Sequence, residues 1–410
     1  MPRTVGSKNK PKISSGLYTV NLEKHNEGSP LTQNSQQGWI KAGLRNDYPQ
    51  LLLNLYNESP THRASINFEV QSIVGGGVDY DAMQIDKTQI YPNYQYSWDY
   101  LLRCIALDYS LYGSYCVQVI LNKDRKTYSF YHIPLEKVRW SPYDEDGVIT
   151  SYWICNDWTA VGQNPPIELP AIDMKEEPNI EYGQPYLYVY RPYSPTMEYY
   201  TSPYYNAGIK AIQAEIEFIN YDLKHIVNGF STAGILTLPE VETDEQKKAI
   251  INNLQSMFQG SNNTNQIAIT FRTNLEDKPA EWTPFTDKGS NVDQYNGSND
   301  RCINRILAAH QIPSPMLIGM PESRKSGFSS DADKIQTAYQ LYQRLTGNYH
   351  RQCVIQTFNQ MLKMNGLDVE LIVKPLRFND FGGDDDKSET TEAKETNQNI
   401  STNNINEKVE

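Results

Sequence analysis

Apolar residues recur along 200–239, YTSPYYNAGIKAIQAEIEFINYDLKHIVNGFSTAGILTLP, at alternating steps of three and four: Ile209, Ile212, Ile216, Ile219, Leu223 and Ile226. That spacing draws one narrow apolar stripe along a helix, with Lys210, Gln213, Glu217 and Lys224 off it. Ser202 suits the N-cap, Pro203 the first turn, and Asn228-Gly229 the stop. A helix over 203–228 is ~38 Å long, and GILTLP leaves it as a short strand.

The flanking chain alternates helix and strand patterns. PQLLLNLYNES and PTHRASINFEVQSIV predict two helices joined at Ser59-Pro60, the second stopped by Gly75-Gly76-Gly77. A phosphate-binding glycine loop needs a strand before it and a helix after it; here a helix precedes and VDYDA follows, so the glycines make a turn. A helix over 94–112 buries Trp98, Leu101, Leu102, Ile105 and Leu111 and stops at Gly113. SYCVQVIL and YSFYHI form a hairpin, KVRWS and VITSYWIC add two strands, residues 156–183 read as a loop, and YLYVYRP is the last strand. This half is an α+β domain with an antiparallel, Tyr-rich sheet.

Beyond Pro239, Thr243 and Gln246 make a capping box for a helix carrying Ile250, Leu254 and Phe258, closed by Gly260. NQIAITFR and EWTPFT supply strands, so residues 230–288 form a small inserted α/β unit. A helix over 291–311 carries Val292, Tyr295, Ile303, Ile306 and Leu307 and ends at Ile312-Pro313. SPMLIGMPESRKSGFSSD reads as a loop too rich in Gly and Ser for a fixed core. Ser330 then caps a helix with Ile335, Tyr342, Leu345, Tyr349 and Leu362, for which Gly347 is a candidate kink, and Asn365-Gly366 turns into VELIV. Residues 1–44 read as a flexible polar arm, whose Arg3, Lys8, Lys10 and Lys12 are solvated charge, and 382–410 as a disordered acidic tail.

Composition narrows the function. A formal charge of −12 argues against a protein that reads nucleic-acid sequence, which needs a basic face, yet permits duplex DNA in a channel where tight binding would hinder sliding. The 29 tyrosines suit either half-buried strand faces or subunit interfaces. Five widely spaced cysteines without a CxxC fit reduced thiols. The N-terminus lacks the apolar run of a signal peptide, and no membrane span is expected, so the protein is expected to be soluble and intracellular when made. No P-loop, HExxH or GxSxG occurs. His25, His62, His132, His225, His310 and His350 are scattered without metal-ligand spacing, and Asp384-Asp385-Asp386 is solvated charge. No enzyme, cofactor or metal is expected.

Several local patterns, taken in order, resemble the shorter portal proteins of tailed bacteriophages. They are Tyr199 with Ser202-Pro203 opening the long helix, and Asn228-Gly229 with Gly234-Ile235-Leu236 leaving it. Ile306 to His310 leads into Ile312-Pro313 and Pro315-Met316-Leu317-Ile318-Gly319; LDYSLYGSYCVQVI and FYHIPLEKVRW lie upstream. The resemblance covers residues 45–375. It implies a portal-type fold: a wing at 45–200, stem helices at 201–229 and 289–312, a clip at 230–288, a tunnel loop at 313–330, and a long kinked wing helix with a short crown at 331–381. It also implies a ring, typically of twelve subunits, at one capsid vertex of a virion assembled in the host cytoplasm. Its partners would be the terminase large subunit, the major capsid protein, a head-tail adaptor and passing double-stranded DNA, with no membrane. Lys210, Lys224, Arg324 and Lys325 are candidate transient phosphate contacts, although each taken singly reads as ordinary surface charge. Two other readings stand beside it: another oligomeric virion protein, such as a connector or capsid subunit, and a soluble enzyme with an unrecognised site.

Overall fold

Ser59 separates the first two helices, α1 (Tyr48–Glu58) and α2 (Pro60–Val74), by taking an extended conformation in which its Oγ accepts from His62 N at 3.1 Å. Pro60 fits the first turn of α2, where its missing N–H goes unneeded. The computed structural model describes residues 38–86, 91–174, 180–195, 197–227, 234–239, 243–258, 267–271, 280–284, 291–321 and 332–376. Residues 1–37 of the polar arm, the acidic tail, the side chain of His225, Asn228-Gly229, Arg324 and Lys325 lie outside them. The last residues of the arm are packed rather than flexible, with Trp39, Ile40 and Ala42 buried and Ile40 N donating to Trp140 O.

Helix α2 carries no clean apolar stripe because it is enclosed on most sides. Ile66, Val70 and Ile73 are buried, and so are Thr61, His62, Ser65, Glu69 and Ser72. It ends at Gly75, where φ is +60° and a Cβ would stand 2.3 Å from Lys374 O. Gly76 N donates to Lys374 O, Lys374 N to Gly77 O, and Val78 bridges Val373. The VELIV segment is thus extended with a single bridge, held by the glycine turn rather than by a sheet.

Helix α3 (Trp98–Tyr112) buries the five residues expected of it. It starts four residues after Tyr94, because Asn93 Oδ1 accepts from Gln95 N and Tyr96 N and holds that stretch as a turn. Two three-stranded antiparallel sheets follow. One has the order β2-β1-β6, from β1 (Tyr115–Leu121), β2 (Tyr128–Ile133) and β6 (Pro185–Tyr190). The other has the order β3-β4-β5, from β3 (Val138–Trp140), β4 (Ser151–Ile154) and β5 (Ile167–Pro170). Strand β5 corrects the loop expected over 156–183: Ile167, Glu168 and Leu169 between prolines are too short a run to signal a strand, and pairing with β4 makes it. A bridge from Ala171 to Leu187 joins the two sheets. The outer edge of β2 is closed by side chains and loop backbone. Asn365 pairs with Tyr128, Pro92 O accepts from Phe130 N, and Tyr96 Oη accepts from His132 N.

Many tyrosines are core. Tyr115 Oη is 2.7 Å from Thr357 Oγ1, and Tyr205 Oη donates to Leu111 O at 2.7 Å, so both rings are sealed with satisfied hydroxyls. Tyr91, Tyr94, Tyr100, Tyr193, Tyr221 and Tyr349 are exposed.

The long helix α4 (Ile209–Val227) begins six residues after Pro203, preceded by the 3-10 turn Asn206–Gly208. Buried Tyr205 and the close crossing at Gly208 keep the intervening residues in tight turns. A small unit follows: β7 (Gly234–Leu238), α5 (Asp244–Phe258), β8 (Ile267–Phe271) and β9 (Glu281–Pro284), in sheet order β8-β7-β9 with β7 parallel to β8. Thr243 Oγ1 accepts from Gln246 N at 3.4 Å, one half of the expected capping box.

Helix α6 (Asn291–Ala309) packs on α4, and a Cβ at Gly208 would stand 2.5 Å from the Cβ of Ala309. Gly208→Val is therefore expected to force the two helices apart and cost about 1–3 kcal/mol, read as a lower denaturant midpoint, with Gly208→Ala losing less. Part of the expected loop after α6 is built: Ser314 caps a 3-10 turn, Pro315–Ile318, in which Met316 is buried.

The last long helix is interrupted where a kink is expected. Helix α7 (Ala332–Tyr342) passes through a π-helical turn, Gln343–Gly347, into α8 (Asn348–Met364). The extra residue of that turn shifts the buried stripe by one position, to Thr346, His350, Cys353 and Val354. Leu345 and Tyr349, expected on the buried side, are instead 67% and 62% exposed.

Candidate subunit interface and stem root

The stripe on α4 changes environment along its length. Ile209 and Ile212 are buried against the root of the fold, with Ile306 and Cys302 of α6 also buried; Ile216 is half-buried. One and two turns further, Ile219 is 40% and Leu223 57% exposed, with Tyr221 beside them also exposed. One sequence pattern thus serves two surroundings: packing inside the chain at its start, and solvent at its end. The side chains of Ile226 and Lys224 lie outside the described residues, and Lys210 is exposed.

A second unpartnered stripe runs along α7 and α8. Leu341, Leu345 and Tyr349, spaced by four, are all exposed, with exposed Arg344 among them. The chain therefore carries two separate apolar helix faces, on α4 and on α7–α8. Sequence reasoning also missed Arg301 and Arg305 of α6, which are both exposed and spaced by four on one face. The Arg301 guanidinium donates to Ser298 Oγ at 2.6 Å. Their spacing was a readable signal, passed over because the basic residues singled out lay elsewhere.

Three of the six histidines read as scattered, His62, His310 and His350, lie near the root of α4 and α6. His310 Nδ1 lies 2.7 Å from Glu69 Oε1, and His310 Nε2 lies 2.9 Å from His62 Nδ1. Tyr205 stacks on His310 at 4.9 Å, and Tyr204 lies 4.4 Å from His350, whose Nδ1 meets Tyr109 Oη at 2.8 Å. Separations of 241 and 248 residues hide these pairs from any local motif. Among the described residues no group of three or more His, Cys, Asp or Glu is placed to hold a metal ion.

Burial sets the protonation here. It lowers His62, helped by the neighbouring His310, brings His310 down to about 3 and His350 to about 4, and raises Glu69. Burial would lower His132 as well, but the Asp108 carboxylate at 2.8 Å outweighs it and raises that histidine. A histidine depressed on folding is protonated first in the unfolded chain, so its contribution to stability is complete above about pH 6.5 and falls away below it. Glu69, raised on folding, acts in the opposite sense and offsets one histidine. His132, raised by Asp108, acts in the same sense as Glu69, and with three histidines lowered a net loss of stability is expected from about pH 6.5 to 5, measurable as a shift in urea midpoint.

No protein-family model matches the chain, and no curated protein matches it in sequence. Solved structures do match it in shape. A chain from the virion of a native gene transfer agent particle superposes with a TM-score of 0.50 at 17% identity, over 80% of this chain and 83% of that one. A chain from the neck of the native particle, computed with C12 symmetry, superposes with a TM-score of 0.50 at 16% identity, over 80% and 83%. This mixed α/β chain thus shares its fold with chains found in the virion and neck of a phage-like particle.

Proposed function

We propose that the chain is a portal subunit, assembling as a ring, expected to be of twelve copies, at one vertex of a virion capsid and enclosing the channel through which double-stranded DNA enters and leaves. The observation that carries this reading is the α4 stripe, continuous in sequence but buried at Ile209 and Ile212 and solvent-facing at Ile219 and Leu223. A ring contact is head-to-tail and joins two different faces of the same chain. The α4 stripe and the stripe of Leu341, Leu345 and Tyr349 supply two such faces. The likeness to a neck chain in a structure of C12 symmetry supports the same reading.

In this account residues 45–200 are the wing, α4 and α6 the stem, 230–288 the clip, 313–330 the tunnel loop and 331–381 the kinked helix with a short crown. Lys210, Lys224, Arg324 and Lys325, now with Arg301 and Arg305, make weak phosphate contacts that do not hold DNA in place. The terminase large subunit docks on the ring during filling and a head-tail adaptor afterwards, while the major capsid protein surrounds it. No catalytic role is proposed.

Threading separates a conduit from a sticky surface. Assembled rings are mixed with linear duplex DNA whose ends are then blocked by bound streptavidin, and in parallel with a closed circle of the same sequence. A conduit keeps the blocked linear DNA through a high-salt wash and releases the circle. Equal behaviour of the two DNAs, bound or unbound, contradicts it.

A further inference from the structure

The Glu69, His310 and His62 side chains form a hydrogen-bonded chain with relative exposures of 1%, 0% and 0%, linking α2 to the end of α6. Its two outer atoms, Glu69 Oε2 and His62 Nε2, have no hydrogen-bond partner among the described residues. Three protons make it neutral. In the arrangement without any charge, Glu69 Oε1–H donates to His310 Nδ1, His310 Nε2–H donates to His62 Nδ1, and the third proton sits on His62 Nε2. A fourth proton leaves one net positive charge in a sealed site.

Each element packed around the chain brings its own groups. Helix α4 brings Glu215, a buried carboxylate already taken by the hydroxyls of Ser59 and Thr61. Tyr204 and Tyr205 stand before α4, Tyr342 closes α7, and His350 of α8 pairs with Tyr109 of α3. Cys302 of α6 is buried nearby, while Arg301 and Arg305 on the same helix are exposed. Apart from Glu215 and the two exposed arginines these are phenols, a thiol and a neutral imidazole, none of which offsets an added positive charge at neutral or mildly acid pH.

We propose that Glu69, His310 and His62 form an acid-sensitive latch between α2 and the stem root: uptake of a proton beyond the neutral three frees the end of α6 and the start of α4 from α2, while the antiparallel sheets stay folded. The groups that would open are few and contiguous. Tyr205 packs on both His310 and His62, at 4.9 and 4.6 Å, the neighbouring Ile306, Leu307 and Ile312 are buried, and β1 and β2 are held by their own ladder. The latch does not depend on ring assembly and acts in a single copy.

Hydrogen exchange on the full chain tests it, with rates corrected for intrinsic pH dependence. Between about pH 6.5 and 4.5, where the two histidines outweigh the proton that Glu69 releases on opening, protection over 62–70 and 303–312 is expected to fall about tenfold or more, while β1 and β2 change by less than about twofold. His62→Gln and His310→Gln, each removing one titrating ring, are each expected to cut the fall at least about threefold. An even loss across the chain, no loss at the stem root, or an undiminished fall in both variants would overturn the latch. If one variant does not fold, the other and the wild-type pattern still decide.

Discussion

Ile219→Asp combined with Leu223→Asp is expected to yield a folded chain that no longer forms rings. In the single copy both residues stand in solvent, so the fold loses little when they become charged. In a ring each would lie against a neighbour, where burying one such side chain contributes about 1.5–3 kcal/mol. An aspartate there forfeits that gain and adds the cost of desolvating a carboxylate, at every contact around the circle. Leu341→Asp with Leu345→Asp should give the same outcome from the other face. Native mass spectrometry reads the assembly state, and circular dichroism confirms the fold. Rings that persist in both double variants would remove the two stripes from the account.

The largest loss of stability is expected at Arg139, on β3. Its guanidinium is 2% exposed and faces carbonyl oxygens rather than a carboxylate. Nε donates to Asn46 Oδ1 at 2.5 Å, Nη2 to Asn46 O at 2.9 Å, and Nη1 to Glu136 O at 3.0 Å and Val138 O at 2.8 Å. Trp158 covers its face at 4.7 Å. Burial pulls the group down only to about 10, so it stays charged at neutral pH. Truncation leaves these acceptors dry and a void beneath Trp158. Arg139→Ala is expected to cost about 4 kcal/mol in urea unfolding. Arg139→Lys should recover less than half of it, since one ammonium cannot span the same fork. A loss below about 1 kcal/mol for the alanine variant would mean the segment around Asn46 is held by other contacts.

Arg139 also marks a limit of reading the chain by eye. Nothing near VRW announces that its central residue will be buried, because its partners at Asn46 lie 93 residues away. The Glu69–His310 pair fails for the same reason at 241 residues. Elements with local punctuation fared better. Helix α2 starts at Pro60 and stops before the glycines as expected, and the hairpin of β1 and β2 pairs Cys116 with Ile133 through to Leu121 with Tyr128.

Errors gathered where tertiary contacts override local pattern. Pro203 reads as a helix start, but the crossing of Gly208 over Ala309 delays α4 to Ile209. Gly347 marked the right place for a break, yet its π form, which turns Leu345 and Tyr349 outward, depends on packing against α2, where Gln343 Nε2 reaches Ser72 Oγ at 2.5 Å. The start of the α4 stripe was legible in the spacing, and Ile209 and Ile212 there are buried. That its far end meets solvent became visible only with the rest of the chain in place.

Ring formation is the claim on which the rest of the functional account stands. The measurement that tests it most directly is the mass of the purified full-length protein, taken with class averages of stained particles. The account predicts closed rings with a central hole and a mass about twelve times the 47.0 kDa of one chain. A monomer at every concentration tested, or a compact oligomer without a hole, would contradict it.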